Sequence, residues 1–496
     1  MATAIFPPTA ETSTASGRDY TIIVAIGAIV VLVAGCYFVG LAGVLRVGYP
    51  AACFAAGAWI YTRSRPKYVA FTCWVWFLTA LVRRLADFKG GYQEPSIILL
   101  APYLVTAVCG VDLFTRAREL LRPRSVPFVC ALAAILYGTL VGLTKFSPRQ
   151  MGPVVLNWLV PVFFAFFIVA SYREYEEIRR SLQSTFALAT LVMGAYGVYQ
   201  FFVLPGWDKL WLSNVKTSTF GAAEPLQLRG FSTMNAPVIF ALTMMGTLLV
   251  SLVWKSKFRL LVVVCGFIGL IFSFNRSGWI GLVAGTIFIL VKLNTRDRMR
   301  VLGGLLLALV VAWLVIGFPD VRQPVIDKLQ SMTDPKDDIS FHARVDGYMN
   351  AFSTLSQEPY GEGVASPDIE HGTIFNDDQI GPHDSMVLEL IYSLGWLGAF
   401  VYLIGLAIMI ARIMTHKATY RPFEDAMKGI LVALFAQCLL NDIVYGEVGW
   451  IMWTAGAVQL AAIAHAEARQ EMSVASPVLA PALGRRPLFV VEESRS

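Results

Sequence analysis

Charge is what this chain has least of. Only 15% of its residues are Asp, Glu, Lys or Arg, against roughly 25% in an ordinary soluble domain. Apolar residues fill 56% of the sequence, and the mean hydropathy is +0.61. A soluble core cannot bury that surplus, so it must face lipid or other spans. Disulfide chemistry is missing as well. The seven cysteines all lie in apolar runs, none in the long polar segment, and no CxxC pair occurs. They read as small buried hydrophobes. There is no GxxxxGK[ST] and no dinucleotide-binding glycine pattern, which argues against an ATP-driven pump or a nucleotide-sugar synthase. Five histidines are present, none at the i,i+4 spacing of a zinc helix. The net charge of +6 follows the connectors, so no nucleic-acid partner is expected. Residues 1–18 are polar with Pro7 and Pro8 and carry no cleavable leader pattern.

What the chain does have is long apolar runs. A hydrocarbon core of ~30 Å needs ~20 residues of helix. That ruler predicts an all-α polytopic membrane protein of about fourteen transmembrane helices, near 20–42, 45–62, 67–84, 95–115, 126–144, 153–171, 184–203, 236–254, 258–274, 277–293, 301–317, 386–411, 428–444 and 449–467. The expected division is a cytoplasmic segment 1–19, helices over 20–317, one large external (periplasmic) loop 318–385 carrying short helices, helices over 386–467, and a disordered cytoplasmic tail 468–496 rich in Ala, Pro and Ser. Lys and Arg cluster in alternate short connectors, for example Arg63, Arg65 and Lys67, then Arg116, Arg118, Arg122 and Arg124. The positive-inside bias puts these connectors and both termini in the cytoplasm. Segments 204–235 and 318–385 then lie outside.

The external segments hold the candidate chemistry. Arg276 stands in Ser-Phe-Asn-Arg-Ser-Gly-Trp (273–279), between two spans with almost no connector. It is either a snorkelling anchor or, with Asn275 and Ser277 beside it, a planar fork that holds an anion. Arg229, in Leu-Arg-Gly-Phe-Ser-Thr-Met-Asn-Ala-Pro with Asn235, stands at the mouth of the span near 236 and poses the same choice. Arg344 lies in the loop among more acidic than basic residues, on a stretch where Val345, Tyr348, Phe352 and Leu355 suggest an amphipathic helix. His383 follows Gly381-Pro382 and opens a long apolar run. It is a helix cap or a general base for a sugar hydroxyl, with Asp384 as orienting partner or cap. Asp377 and Asp378 read as solvated loop charge rather than a metal site, and 365–381 reads as a lid. Asn441, Asp442 and Glu447 read as a wet helix end.

In combination, these motifs resemble the O-antigen ligase and Wzy-type polymerase superfamily over roughly 225–410. Ser-Phe-Asn-Arg-Ser-Gly-Trp-Ile-Gly is similar to its SxSRxxWxG stretch. Arg344-(x)3-Tyr348 followed by Pro359-Tyr-Gly-Glu-Gly363 is similar to its R…W…P…GxG pattern. His383-Asp-Ser-Met-Val-Leu-Glu-Leu-Ile-Tyr-Ser-Leu-Gly-Trp-Leu-Gly398 is similar to its HNxxLxxxxxxGxxG. Asn275, Tyr348 and Asp384 depart from the usual Ser, Trp and Asn.

The resemblance implies an inverting, metal-independent glycosyltransferase of the bacterial inner membrane with its active site on the periplasmic side. His383, Arg276, Arg229 and Arg344 would be catalytic. Asn275, Ser277, Asn235, Tyr348, Asp384 and Glu362 would bind substrate. No cofactor and no metal are expected. The partners would be an undecaprenyl-pyrophosphate-linked glycan donor, a glycan acceptor, the bilayer, and a chain-length regulator or export proteins. The span number favours a polymerase making exopolysaccharide, capsule or O-antigen, since ligases of the family usually have about twelve. A ligase acting on lipid A-core is the alternative, and a transporter of polysaccharide or lipid-linked oligosaccharide is the reading from another class.

Overall fold

The structure, a computed structural model, describes residues 21–215, 220–333, 359–364, 385–416 and 421–475. Arg344, Tyr348, His383, Asp384, the pair Asp377 and Asp378, and the 365–381 stretch lie outside the described residues.

The described chain is helical, as the apolar runs require when backbone groups must be satisfied within lipid. Each of the fourteen expected spans overlaps helix, the one at 428–444 only in its first half. Nine of the described helical segments are long and apolar enough to cross a membrane, among them Arg65–Gly90, Tyr172–Val203, Thr295–Ile316 and Met386–Thr415. Others are short: Pro237–Leu252 has 16 residues and Arg259–Phe272 has 14. At 1.5 Å per residue a 14-residue helix covers only about 21 Å. The segment expected at 428–444 is a helix over Pro422–Phe435, followed by turns. The last helix, Gly446–Ala475, continues past the expected end at 467. Segment 204–235 contains an unanticipated helix, Gly206–Asn214, and 318–385 opens with Pro319–Thr333.

Small residues let two helices meet backbone to backbone. A Cβ on Gly194 would stand 2.6 Å from the Cys265 carbonyl oxygen, and one on Gly266 would stand 2.3 Å from the Thr190 methyl. The Tyr175–Val203 and Arg259–Phe272 helices therefore lie in close register, and Phe201 stacks on Phe272 at 4.1 Å. Around that pair is a second hydrophobic core, separate from the large one within the bundle. It contains Trp211, Phe220, Phe231 and Phe274. Rings of Trp211, Phe220 and Phe231 lie 5.3–5.4 Å apart, contacts worth about 0.5–1.5 kcal/mol each beyond their burial. This apolar platform carries the segment that contains Arg229.

The same end of the bundle holds a helix opened by an inserted segment. Met386–Thr415 is interrupted at Gly395, whose φ is +62°. There the Trp396 N–H, which a regular helix would aim at the Tyr392 carbonyl, instead donates to Pro359 at 3.1 Å. The Tyr392 carbonyl accepts from the Glu362 N–H at 2.8 Å. Segment 359–362 thus replaces one turn's hydrogen bond with two of its own. Only glycine fits the contact. A Cβ on Gly361 (φ +81°) would meet the Gly395 nitrogen at 2.3 Å, and one on Gly363 (φ +96°) would meet Gly142 at 2.4 Å.

Candidate active site

Two arginines lie within electrostatic reach of each other at this end. Arg276 begins the Arg276–Lys292 helix, and Asn275 caps it by accepting from the Gly278 N–H at 2.9 Å. Ser277 donates its hydroxyl to the same Asn275 oxygen at 2.6 Å. Both residues flanking Arg276 thus commit their side-chain oxygens to the turn. Phe274, just ahead of the cap, has φ +47° and is buried in the aromatic platform. That packing holds a conformation costing about 1–3 kcal/mol. Arg276 itself is exposed at the positive end of its helix.

Arg229 approaches from the other side. Its backbone N–H donates to Phe220 at 2.7 Å beside a bridge between Gly221 and Leu228. The next N–H, of Gly230, donates to the Phe272 carbonyl at 2.8 Å, tying the Arg229 segment to the turn that carries Arg276. A Cβ on Gly230 would meet that oxygen at 3.0 Å, so a larger residue would crowd the tie. Burial, and then the positive charge of Arg276, push the Arg229 guanidinium below its usual range. It remains a cation, since arginine starts so high. Two cations within electrostatic reach repel, and an anion is favoured beside them.

Orphaned polar atoms sit along the same segment. Arg229 Nε, Thr233 Oγ1 and Asn235 Oδ1 are buried with no hydrogen-bond partner among the described residues. Buried polar atoms normally find partners, so three within seven residues make this stretch a candidate for contact with a ligand.

A network that sequence reasoning missed fixes this segment. Arg84, fully buried near the end of Arg65–Gly90, lies 2.7 Å from the Asp208 carboxylate, which is also fully buried. Its guanidinium donates to the carbonyls of Ser232 and Met234 and lies 4.8 Å from the Phe231 ring centre. Gln200 donates to Asp208 at 2.7 Å, while its oxygen accepts from the Phe231 and Ser232 N–H groups at 3.0 and 2.7 Å. Tyr196 donates to Asp208 at 2.8 Å. Ser232 is held at φ +49° while its hydroxyl donates to Met193 at 2.6 Å. A clue was present in the sequence: Arg83, Arg84 and Asp87 interrupt an apolar run, and intramembrane charges are usually paired and functional.

Other expected residues have structural partners. Glu362 forms an ion pair with Lys145 at 2.5 Å. Asn441 is buried, and its carbonyl and that of Cys438 accept from the Met386 N–H at 3.2 and 2.9 Å. Asp442 accepts from Val444 at 3.2 Å. Glu389, buried inside the bundle, accepts from Ser393 at 2.6 Å. Ser385, where the described chain resumes, caps the following helix by accepting from Val387 at 3.2 Å.

Helices of this length and polarity define an all-α multi-pass membrane protein. Residues 261–403 match the family model described as O-Antigen ligase. The match includes Arg276, segment 359–364 and the helix break at Gly395, and leaves Arg229 and the Arg84 network before its start. It bears out the suspected family over that stretch and indicates ligase- or polymerase-type transfer of lipid-linked glycans. No curated protein matches the chain.

Proposed function

We propose that this protein is a membrane glycosyltransferase that polymerises undecaprenyl-pyrophosphate-linked repeat units at the external face of the bacterial inner membrane. The observation that carries the reading is Arg229 within electrostatic reach of Arg276, on a segment with orphaned polar atoms. In glycosyl transfer, an acceptor hydroxyl oxygen bonds to the anomeric carbon of the donor sugar. The bond from that carbon to pyrophosphate breaks, and the configuration inverts. Negative charge grows on the departing pyrophosphate, where Arg229, Arg276 and the positive helix end stabilise it. Arg344 adds a third cation in this scheme. His383 takes the hydroxyl proton as general base, with Asp384 orienting it. Asn235, Asn275, Ser277, Tyr348 and Glu362 contact the glycan or its pyrophosphate. Arginine charge does the work of a metal, so the reaction needs none. A chain-length regulator or export proteins would take the product onward.

Transfer to lipid A-core is the second reading, favoured by the wording of the family match. The two are separated with purified protein in detergent. Undecaprenyl-pyrophosphate-linked repeat units supplied alone give a ladder of longer glycans if the chain is a polymerase. A product seen only when lipid A-core is added makes it a ligase. No transfer under either condition overturns the glycosyltransferase reading.

A further inference from the structure

At the end of the bundle away from the arginine pair lies a half-open cavity of about 440 Å³. Lys255, Lys257, Arg259 and Arg300 line it, with Asp297 as the one lining carboxylate. We propose that this cavity binds the phosphate headgroup of an anionic phospholipid.

Three features lead there. First, of the four cations only Arg300 pairs with a carboxylate among the described residues. Arg300 pairs with Asp297 at 3.0 Å, and Arg259 donates to the Leu252 and Arg300 carbonyls at 3.1 and 3.2 Å, forming a rigid floor. Lys257 lies 5.0 Å from the Phe258 ring centre, and Lys255 and Lys257 are both exposed. No carboxylate pairs with either lysine among the described residues. Glu424, nearby in sequence to the lining residue Pro422, is turned to Tyr175 and Arg421.

Second, three helices begin at the cavity. Arg259 opens Arg259–Phe272, Asp297 lies in the first turn of Thr295–Ile316, and Pro422 opens Pro422–Phe435. Their positive ends add to the lysines in favouring an anion.

Third, exposed apolar side chains suited to acyl chains lie within two residues, along the chain, of residues that line the cavity. Phe258, Leu260, Leu261, Met299 and Leu302 are exposed by 41–63%. A free phosphate gains nothing from those apolar side chains. A phospholipid places its phosphate among the lysines and its chains along these side chains, as basic cavities between membrane helices do.

The test is native mass spectrometry of the full chain, titrated in detergent with phosphatidylglycerol, phosphatidylcholine or inorganic phosphate. The double variant Lys255→Gln/Lys257→Gln is compared with Arg63→Gln/Arg180→Gln, which removes two exposed cations elsewhere. The proposal expects phosphatidylglycerol adducts at concentrations where phosphatidylcholine leaves none. It expects about thirtyfold weaker retention in the lysine variant, from the effect of two basic residues at an anionic surface, and wild-type retention in the control. Equal retention of the two lipids, or equal loss in both double variants, overturns it in favour of a diffuse charge effect. Binding of inorganic phosphate that phosphatidylglycerol does not displace overturns the lipid assignment. The readout involves no glycan, so it stands or falls apart from the proposed transfer reaction.

Discussion

Arg84 and Asp208 form an ion pair 2.7 Å apart with neither side chain reaching solvent. They come from different helices, and together with Gln200 they fix the carbonyls and N–H groups of Phe231 to Met234. Two residues before Phe231 stands Arg229. The pair is thus the support from which one member of the arginine pair is presented.

Removing one partner strands a buried charge, at a cost of roughly 3–5 kcal/mol. Asp208→Ala is therefore expected to lower the thermal midpoint in detergent by several degrees. Arg84→Met/Asp208→Leu should recover most of that loss, because apolar pairs replace buried ion pairs well. Transfer activity should stay low in the double variant, since Ser232 and Met234 have lost their donors. Wild-type activity in the double variant would show that the pair serves stability alone.

The inserted segment gives a prediction about backbone space. Gly395→Ala places a Cβ 2.4 Å from the Tyr360 carbonyl group at φ +62°. Strain of about 1–3 kcal/mol is expected, and the thermal midpoint should fall. Gly303→Ala, where the new Cβ meets nothing within 4 Å, should leave it unchanged or raised. Equal midpoints for the two variants would show that 359–362 is not held in the helix break.

Much of the fold was legible because lipid imposes one rule on every span. Apolar runs named the helices, and the turn around Arg276 announced itself by putting a cation where two spans nearly touch. The glycines of Pro359-Tyr-Gly-Glu-Gly363 were visible as a pattern, but their purpose was not. Gly395 sits in an unbroken apolar run that reads as helix, and only the docked segment shows why the helix opens there. Arg84 and Asp208 were missed because their pairing depends on how two distant helices pack. Asn275 and Ser277 were read as ligands for substrate, yet their oxygens first serve the cap, a role that neighbouring N–H groups dictate locally.

His383→Ala is expected to reduce glycan transfer about 10²–10⁴-fold, the usual cost of losing a general base, with normal protein level in the membrane. Rates of the purified variant on lipid-linked repeat units check this. A near-wild-type rate would assign the base elsewhere.

The central claim is that a pair of planar guanidinium groups receives the departing pyrophosphate. Its most direct measurement is the transfer rate of wild type, Arg276→Ala, Arg276→Lys and Arg229→Lys in excess EDTA. The account predicts full wild-type activity in EDTA. It predicts losses of about 10²–10³-fold in Arg276→Ala and nearly as much in both lysine variants, because lysine keeps the charge but not the bidentate fork. Lysine variants close to wild type would make these arginines membrane anchors. Activity that vanishes in EDTA, returns with magnesium and is lost in Asp377→Ala would move the chemistry to the acidic pair and contradict the account.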